Sequence, residues 1–384
     1  MKGSIQKRGN TWTYIVDVGR DPQTGKRQQK TKGGFPRLKD AQLALRKLLS
    51  EIDENKYIAP SKETLAEYLE HWFTHYEKRI KVTTVCTRKY LMDKHLIKEN
   101  PFSNKELSKI TTRDIDAFYN LKLDEGYSTS TIRKIHQMLN QAFNQAVKWS
   151  KVTNNPVLAA DPPSVKKVEM KIWSFNEIDL FLEHCKEERH HITFLLAIYT
   201  GMRRGEILGL KWSDIDFEKK TIRVQRSLSH VTNEGYILST PKTTKSIRYV
   251  PIPKMLLDEL HSHKNRQKEW NERLGPDYSD QDLVICTEMG SFQDPRNVLR
   301  VMKRIMKAAN VSPIRFHDIR HTHASILISE GVDIVRVAAR LGHANPKITL
   351  ETYAHLISDV DNEAADIFHN ALKTAREQKV SKGS

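Results

Sequence analysis

The chain has 384 residues, enough for two or three domains with sizeable cores. Sixty-three Lys and Arg against 47 Asp and Glu give a formal net charge of +16, a surplus that suits a polyanionic partner. Cys86, Cys185 and Cys286 are isolated, which argues against a disulfide framework or a cysteine zinc site; no stretch reaches the ~18 apolar residues of a membrane helix, and "MKGSIQKRGNTW" lacks the apolar run of a secretory signal, so a cytoplasmic protein is expected.

Residues 1–56 read as one unit with a local net charge of +7. In "NTWTYIVDVG", Trp12, Tyr14, Val16 and Val18 alternate onto one face, as in a half-buried strand. "RDPQTGKRQ" predicts a hairpin turn and "KRQQKTKGGF" a returning strand. "GRDPQTGK" is not a phosphate loop, because five residues separate its glycines instead of four and Arg27 stands where Ser or Thr is required. "LKDAQLALRKLLSEI" predicts an amphipathic helix with Leu43, Leu45, Leu48, Leu49 and Ile52 toward the core. A sheet of about three strands plus one helix is expected here.

After a linker, "KYIAPS", residues 62–155 read as helical. "TLAEYLEHWFTHYEKRI" carries a stripe of Leu65, Tyr68, Leu69, Trp72 and Phe73. "TTRDIDAFYNLKLDEG" opens on a Thr or Asp cap and stops at Gly126. "STSTIRKIHQMLNQAFNQAVKWS" places Ile132, Ile135, Met138, Leu139 and Phe143 on one side. About four helices are expected, closed by the prolines of "NNPVLAADPPS", with the aromatics in the core rather than serving as stacking platforms.

From residue 170 to 384 the pattern is mixed. "NEIDLFLEHCK" and "ITFLLAIYTGMRRGEILGL" predict helices. "TIRVQRSL", "GYILSTP" and "SIRYVPI" predict three strands joined by turns, and "KMLLDELHSHKNRQKEW" and most of the chain after Pro295 return to helix. The fold class expected is therefore multidomain and mainly α with small β-sheets, divided at 1–56, 62–155 and 170–384.

"HDIRHTH", His317 to His323, is close to the zinc-protease helix motif H-E-x-x-H. His317 and His321 would share a helix face. Asp318 replaces the general-base Glu, however, no third ligand stands at the usual spacing, and Arg320 would set a fixed charge beside the cation. No metal or other cofactor is expected. Arg320 reads better as half of an anion clamp: "TGMRRGEILGL" sets Arg203 just after Gly201, and two guanidiniums from separate helices would fork a phosphodiester. In "RLGHANPKITLETYAHL", Tyr353 follows His343 by ten residues on a helix begun by Pro346, with Ile348 and Leu356 toward the core. Two nearby guanidiniums would favour its phenolate and so make it a nucleophile. Lys242, in the turn before "SIRYVPI", would supply the proton a leaving alkoxide needs.

"TGMRRGE", the strand-turn lysine, "HDIRH" and "LGHANPKITLETYAH" together resemble the phage-integrase family of tyrosine recombinases, best over 172–357. The resemblance implies an N-terminal arm-binding domain at 1–56, a helical core-binding domain at 62–155 and a mixed α+β catalytic domain of tyrosine recombinase type at 170–384. It implies Arg203 and Arg320 as the phosphate clamp, Lys242 as general acid, His317 and His343 as phosphate and proton handlers, Tyr353 as nucleophile and Glu206 as a buried partner of Arg203; His321, His323 and His355 would be structural or would support the catalytic groups from behind. It also implies double-stranded DNA with core-type and arm-type sites, the latter met by Lys7, Arg8, Lys26, Arg27, Lys30 and Lys32. It implies a homo-tetramer on DNA, with a DNA-bending host factor and an excision factor as accessories; the C-terminal segment "DVDNEAADIFHNALKTA" reads as an amphipathic helix that would dock on a neighbour or pack in cis. A type IB topoisomerase, a non-catalytic DNA-binding regulator and a zinc enzyme are the other readings.

Overall fold

The computed structural model describes residues 3–20, 27–53, 62–165, 170–231, 234–240 and 247–354, together with 368, 369 and 373. The chain divides into two compact units, Met1–Lys167 and Val168–Ser384.

In the first unit, β1 (Gly3–Arg8), β2 (Thr11–Arg20) and β3 (Arg27–Phe35) form an antiparallel sheet in that order, covered by α1 (Leu38–Asp53). Tyr14 and Val16 from β2 pack on Leu45 and Leu48, as the alternation predicts. The α1 stripe differs from expectation. Ala41 is fully buried and Leu43 lies on the solvent side, because the face set by Leu45 and Leu48 continues back to position 41 and not 43. Arg20 pairs with Arg27 across the expected hairpin; residues 21–26, Lys26 among them, lie outside the described residues.

A separate core holds α2 (Leu65–Tyr76), α3 (Val82–Leu91), a π-helical turn at Met92–Lys98, α4 (Thr112–Asp124) and α5 (Thr129–Lys148). The buried faces of α2 and α5 include every residue their stripes predict. Thr64 and Thr111 open α2 and α4 with capping boxes, each hydroxyl accepting from the N–H three residues on while Glu67 or Asp114 answers to the cap backbone. The sequence does not mark Lys122 as special, yet its side chain is wholly buried. It donates to Glu99 at 2.8 Å and Glu125 at 2.7 Å and lies 5.6 Å from the Phe118 ring centre.

The second unit begins with α6 (Phe175–Cys185), α7 (His191–Thr200) and α8 (Arg204–Leu208). Two small sheets follow, built from β4 (Ile215–Asp216), β5 (Thr221–Val224), β6 (Ser227–Val231), β7 (Gly235–Ser239) and β8 (Arg248–Pro251). The order is β4-β5-β8 in one and β6-β7 in the other. "TIRVQRSL" is therefore two strands in two sheets. Gln225 and Arg226 both donate to Asp214, which draws the chain out of the first sheet between them. Then come α9 (Lys254–Leu274), α10 (Pro295–Ala308), α11 (Phe316–Ser329), α12 (Ile334–Leu341) and α13 (Pro346–Tyr353). α7 is apolar nearly all round and buried, the central element of the main core. A satellite cluster of Ala324, Ile328, Val337, Leu341 and Tyr353 joins α11, α12 and α13. Ile348, expected in the core, is exposed, since α13 turns Thr349 and Tyr353 inward instead. Leu356, His355 and nearly all of "DVDNEAADIFHNALKTA" lie outside the described residues. No helix among the described residues is long and apolar enough to cross a membrane.

Replacing Lys122 by Met keeps the stem packed and removes the charge. The expected cost is about 2 kcal/mol in urea unfolding, the low side for a broken buried pair, because Glu99 and Glu125 keep 35% and 38% of their side-chain surface in water. Lys122 holds the Glu99 carboxyl below its ordinary 4.5, so the deficit is present above that pH and fades as pH falls through the depressed value. A deficit unchanged by acid would assign the loss to packing.

Candidate active site

The site grows from the end of α7. Gly201 closes that helix at φ +63°, and a Cβ there would meet the His323 ring at 2.7 Å and Leu341 at 2.8 Å. The chain then runs extended to Arg203, which caps α8. Glu206, in the first turn of α8, accepts from the Arg203 backbone N–H at 2.8 Å and from its Nη1 at 2.9 Å. The rest of the Arg203 side chain, 42% exposed, is open to solvent.

Glu206 has a second partner that the sequence analysis missed. Arg248, on β8, donates Nη1 to Oε1 at 3.1 Å and Nη2 to Oε2 at 2.8 Å, while its Nε donates to the Arg340 carbonyl at 2.8 Å. Burial alone would raise the Glu206 carboxyl; the hydrogen bond and charge of Arg248, joined by Arg203, bring it down to about 2. Gly342 makes room for this pair. It ends α12 at φ +70°, and a Cβ would stand 2.8 Å from Arg248 Nη1.

Arg320 lies in the second turn of α11 and is 3% exposed. Its Nη1 donates to the Gly201 carbonyl at 2.9 Å and its Nη2 to the Leu341 carbonyl at 2.7 Å. The guanidinium thus satisfies the C-terminal ends of α7 and α12, where helix dipoles favour a cation. Burial and then the neighbouring Arg203 bring Arg320 down to about 9, so it stays charged at neutral pH.

The histidines around the clamp are neutral at pH 7. His343 shares a hydrogen bond through Nδ1 with the Thr349 hydroxyl at 2.7 Å; burial, then Arg320 and Arg203, push it down to about 4. His317, exposed in the first turn of α11, is lowered by desolvation, then by Arg320 and Arg203. Its neighbour Asp318 is committed to Arg315, which donates its backbone N–H at 2.7 Å and Nη2 at 2.7 Å, so "HDIRH" spends its carboxylate on capping α11 rather than on acid–base work.

Tyr353, the last residue of α13, is 1% exposed. Its hydroxyl meets His321 Nδ1 at 2.6 Å. Here one expectation is corrected. Burial in the satellite cluster outweighs the charge of Arg320 and holds the phenol at about 12, so no phenolate is favoured at rest. His321 is in direct contact with the proposed nucleophile. His323, by contrast, bonds the Ile198 carbonyl at 2.8 Å and accepts from Arg340, as a structural residue would. Of the sequence candidates, the structure gathers Arg203, Glu206, His317, Arg320, His343 and Tyr353 into one electrostatic neighbourhood. Lys242 lies outside the described residues.

In the N-terminal sheet, register places Lys7, Lys30 and Lys32 on the Tyr14 and Val16 side that α1 covers, and Arg27 donates to Asp17 at 2.6 Å. The opposite face carries Arg8, one of the sequence candidates, with Ile15, Asp17 and the uncharged polar residues Ser4, Gln6, Thr13, Gln29 and Thr31.

Residues 171–359 match the phage integrase family, 4–52 an arm DNA-binding domain and 64–123 the N-terminal SAM-like domain of phage integrases. Among curated relatives, a tyrosine recombinase XerC-like protein of Caldanaerobacter subterraneus subsp. tengcongensis is 33% identical, across 96% of this chain and 98% of that one. The ICEBs1 integrase of Bacillus subtilis is 30% identical across 96% and 100%. Among solved structures, the Tn1549 transposon integrase in complex with a circular intermediate DNA covers 80% of this chain and 99% of its own at 19% identity, with a TM-score of 0.69. A lambda integrase dimer bound to a core site covers 92% and 94% at 20% identity, with a TM-score of 0.55. With one relative above 30% identity along nearly its whole length and the clamp, carboxylate and tyrosine set out as described, this chain belongs to the phage integrase family of tyrosine recombinases.

Proposed function

We propose that the chain is a site-specific DNA recombinase, the integrase of a mobile genetic element, which cuts and rejoins DNA through a 3′-phosphotyrosyl intermediate. The observation that carries this reading is the charge balance of the site. Arg203 and Arg248 share the one carboxylate of Glu206, so with Arg320 the site holds three guanidiniums against one carboxylate, a surplus of two positive charges, and Arg320 acts directly on the Tyr353 hydroxyl. A phosphodiester brings one negative charge. Attack by an oxyanion adds a second in the transition state, so two guanidiniums favour the transition state over bound substrate.

Tyr353 forms an ester with the scissile phosphorus as the 5′ oxygen leaves, and Lys242 gives that oxygen its proton. The ester stores the bond energy, so rejoining needs no nucleotide. A 5′ hydroxyl from a partner duplex then reverses the step and exchanges strands. His317 and His343, neutral, assist as hydrogen-bond partners of the phosphate. The arm domain matched at 4–52 favours this reading over a topoisomerase, because relaxation requires no second DNA site. The working complex is a homo-tetramer on two core sites, assembled in the cytoplasm, with arm sites held by the N-terminal sheet. A DNA-bending host factor and an excision factor complete the accessory set.

Incubated in EDTA with a nicked suicide duplex, the protein is expected to form a covalent adduct visible as a gel shift under denaturing conditions. Tyr353→Phe should bind the duplex as tightly and give no adduct; an adduct from that variant would remove Tyr353 from the mechanism. Lys242→Ala should cleave ~10²-fold or more slowly, and recover most of that loss on a duplex with sulfur in place of the scissile 5′ oxygen, because a thiolate leaves without a proton. Equal losses on both duplexes would take Lys242 out of the acid role.

A further inference from the structure

The mechanism above leaves the phenolic proton of Tyr353 without a destination. Among the described residues the hydroxyl has one hydrogen-bond partner, His321 Nδ1, at 2.6 Å. We propose that His321 is the base that takes the Tyr353 proton as phosphorus is attacked and returns it when the ester is resolved. This inference rests on the recombinase reading.

The placement favours His321 over the other two imidazoles. His321 follows Arg320 on α11, so the helix that fixes the clamp also fixes the base. His343 has its Nδ1 engaged by Thr349, and His317 has no hydrogen bond to Tyr353. The His317 ring lies 5.1 Å from that of His321, perpendicular to it, and can crowd the cation but not accept the proton. The groups facing His321 are His317, Asp318 and Arg320 from α11, Arg315 that caps α11, Tyr353 from α13, and His343 between α12 and α13. Burial, then His317, with Arg315 and Arg320 against Asp318, keep it below its ordinary 6.5. It is therefore neutral at pH 7, with the Nδ1 lone pair available to the phenol.

The step balances. The phenolic oxygen bonds to phosphorus, the bond to the 5′ oxygen breaks, and the phenolic proton moves to Nδ1 to give an imidazolium. On rejoining, a 5′ hydroxyl attacks, the phenolic oxygen departs and Nδ1 gives the proton back. A phenol near 12 does not surrender its proton in advance to a base below 6.5, so transfer accompanies bond formation, as charge drains from the oxygen onto the phosphate.

The test compares cleavage of the nicked duplex by the wild-type protein and by His321→Asn, whose side-chain oxygen can still accept a hydrogen bond but cannot hold the proton. His321→Gln is run in parallel should the Asn protein melt early. The expected loss is ~10²- to 10³-fold with duplex affinity unchanged. The same pair is then made with a trifluorinated tyrosine at position 353, whose phenol ionises near neutral pH and needs less help. The deficit should shrink to about tenfold or less. A deficit of equal size with both tyrosines, or a variant that cleaves at the wild-type rate, overturns the base role while the adduct formed by the wild-type protein keeps the recombinase reading. No adduct from the wild-type protein overturns both.

Discussion

A guanidinium that is 3% exposed and, among the described residues, hydrogen-bonded to no carboxylate would be expensive to bury anywhere but here. Arg320 is tolerated because α7 and α12 aim their C-terminal carbonyls at it, and because Gly201 and Gly342 let both helices end close by. The rest of the second unit is arranged around that arginine. Arg203 leaves the same turn whose carbonyl Arg320 holds. Arg248 absorbs the single carboxylate, so Glu206 positions both neighbours without cancelling the clamp. The site thus keeps a positive surplus in the folded state, a cost in stability that a bound anion would offset.

Tyr353, the proposed nucleophile, is subject to two opposed effects. Arg320 pulls the phenol toward ionisation, and the apolar cluster of Ala324, Ile328, Val337 and Leu341 pushes it back; burial wins. An enzyme whose tyrosine were ionised at rest would present a strong nucleophile to any electrophile in reach. On the proposed mechanism, a phenol that is protonated until phosphorus arrives would be activated only where the clamp already holds a phosphate, which would tie reactivity to correct docking.

How much of this the sequence reveals depends on the range of the interactions. The stripes of α2 and α5 are legible because each helix meets its core along one face and begins with a capping side chain, both local properties. The clamp is legible through motif order. Arg248 is written in the sequence too, though less plainly: in "SIRYVPI" it falls in phase with Val250, on the buried side of β8, and a buried arginine requires an acidic partner. His321 differs. Its partner is 32 residues on, and nothing near it in sequence announces that α13 will set a hydroxyl against Nδ1. The split of "TIRVQRSL" is illegible for the same reason, since the pull on Gln225 and Arg226 comes from Asp214, across a turn. Leu43 and Ile348 show the converse error, where hydrophobicity was read as burial although helix phase puts each on the open side.

Taken together, the titrations make the site's charge state flat across the neutral range. Glu206 ionises near 2, His343 protonates only near 4, His317 and His321 sit below their ordinary value, and Arg320 loses its proton only near 9. Around neutral pH the resting pocket therefore holds three guanidiniums against the one carboxylate of Glu206, with uncharged imidazoles. That constancy suits the proposed chemistry, which would run in both directions. If cutting and rejoining pass through like transition states, whatever base accepts a proton on the way in must be free to release it on the way out. A pocket crowded with fixed cations meets that condition, because it destabilises an imidazolium except while the doubly charged phosphorane is beside it.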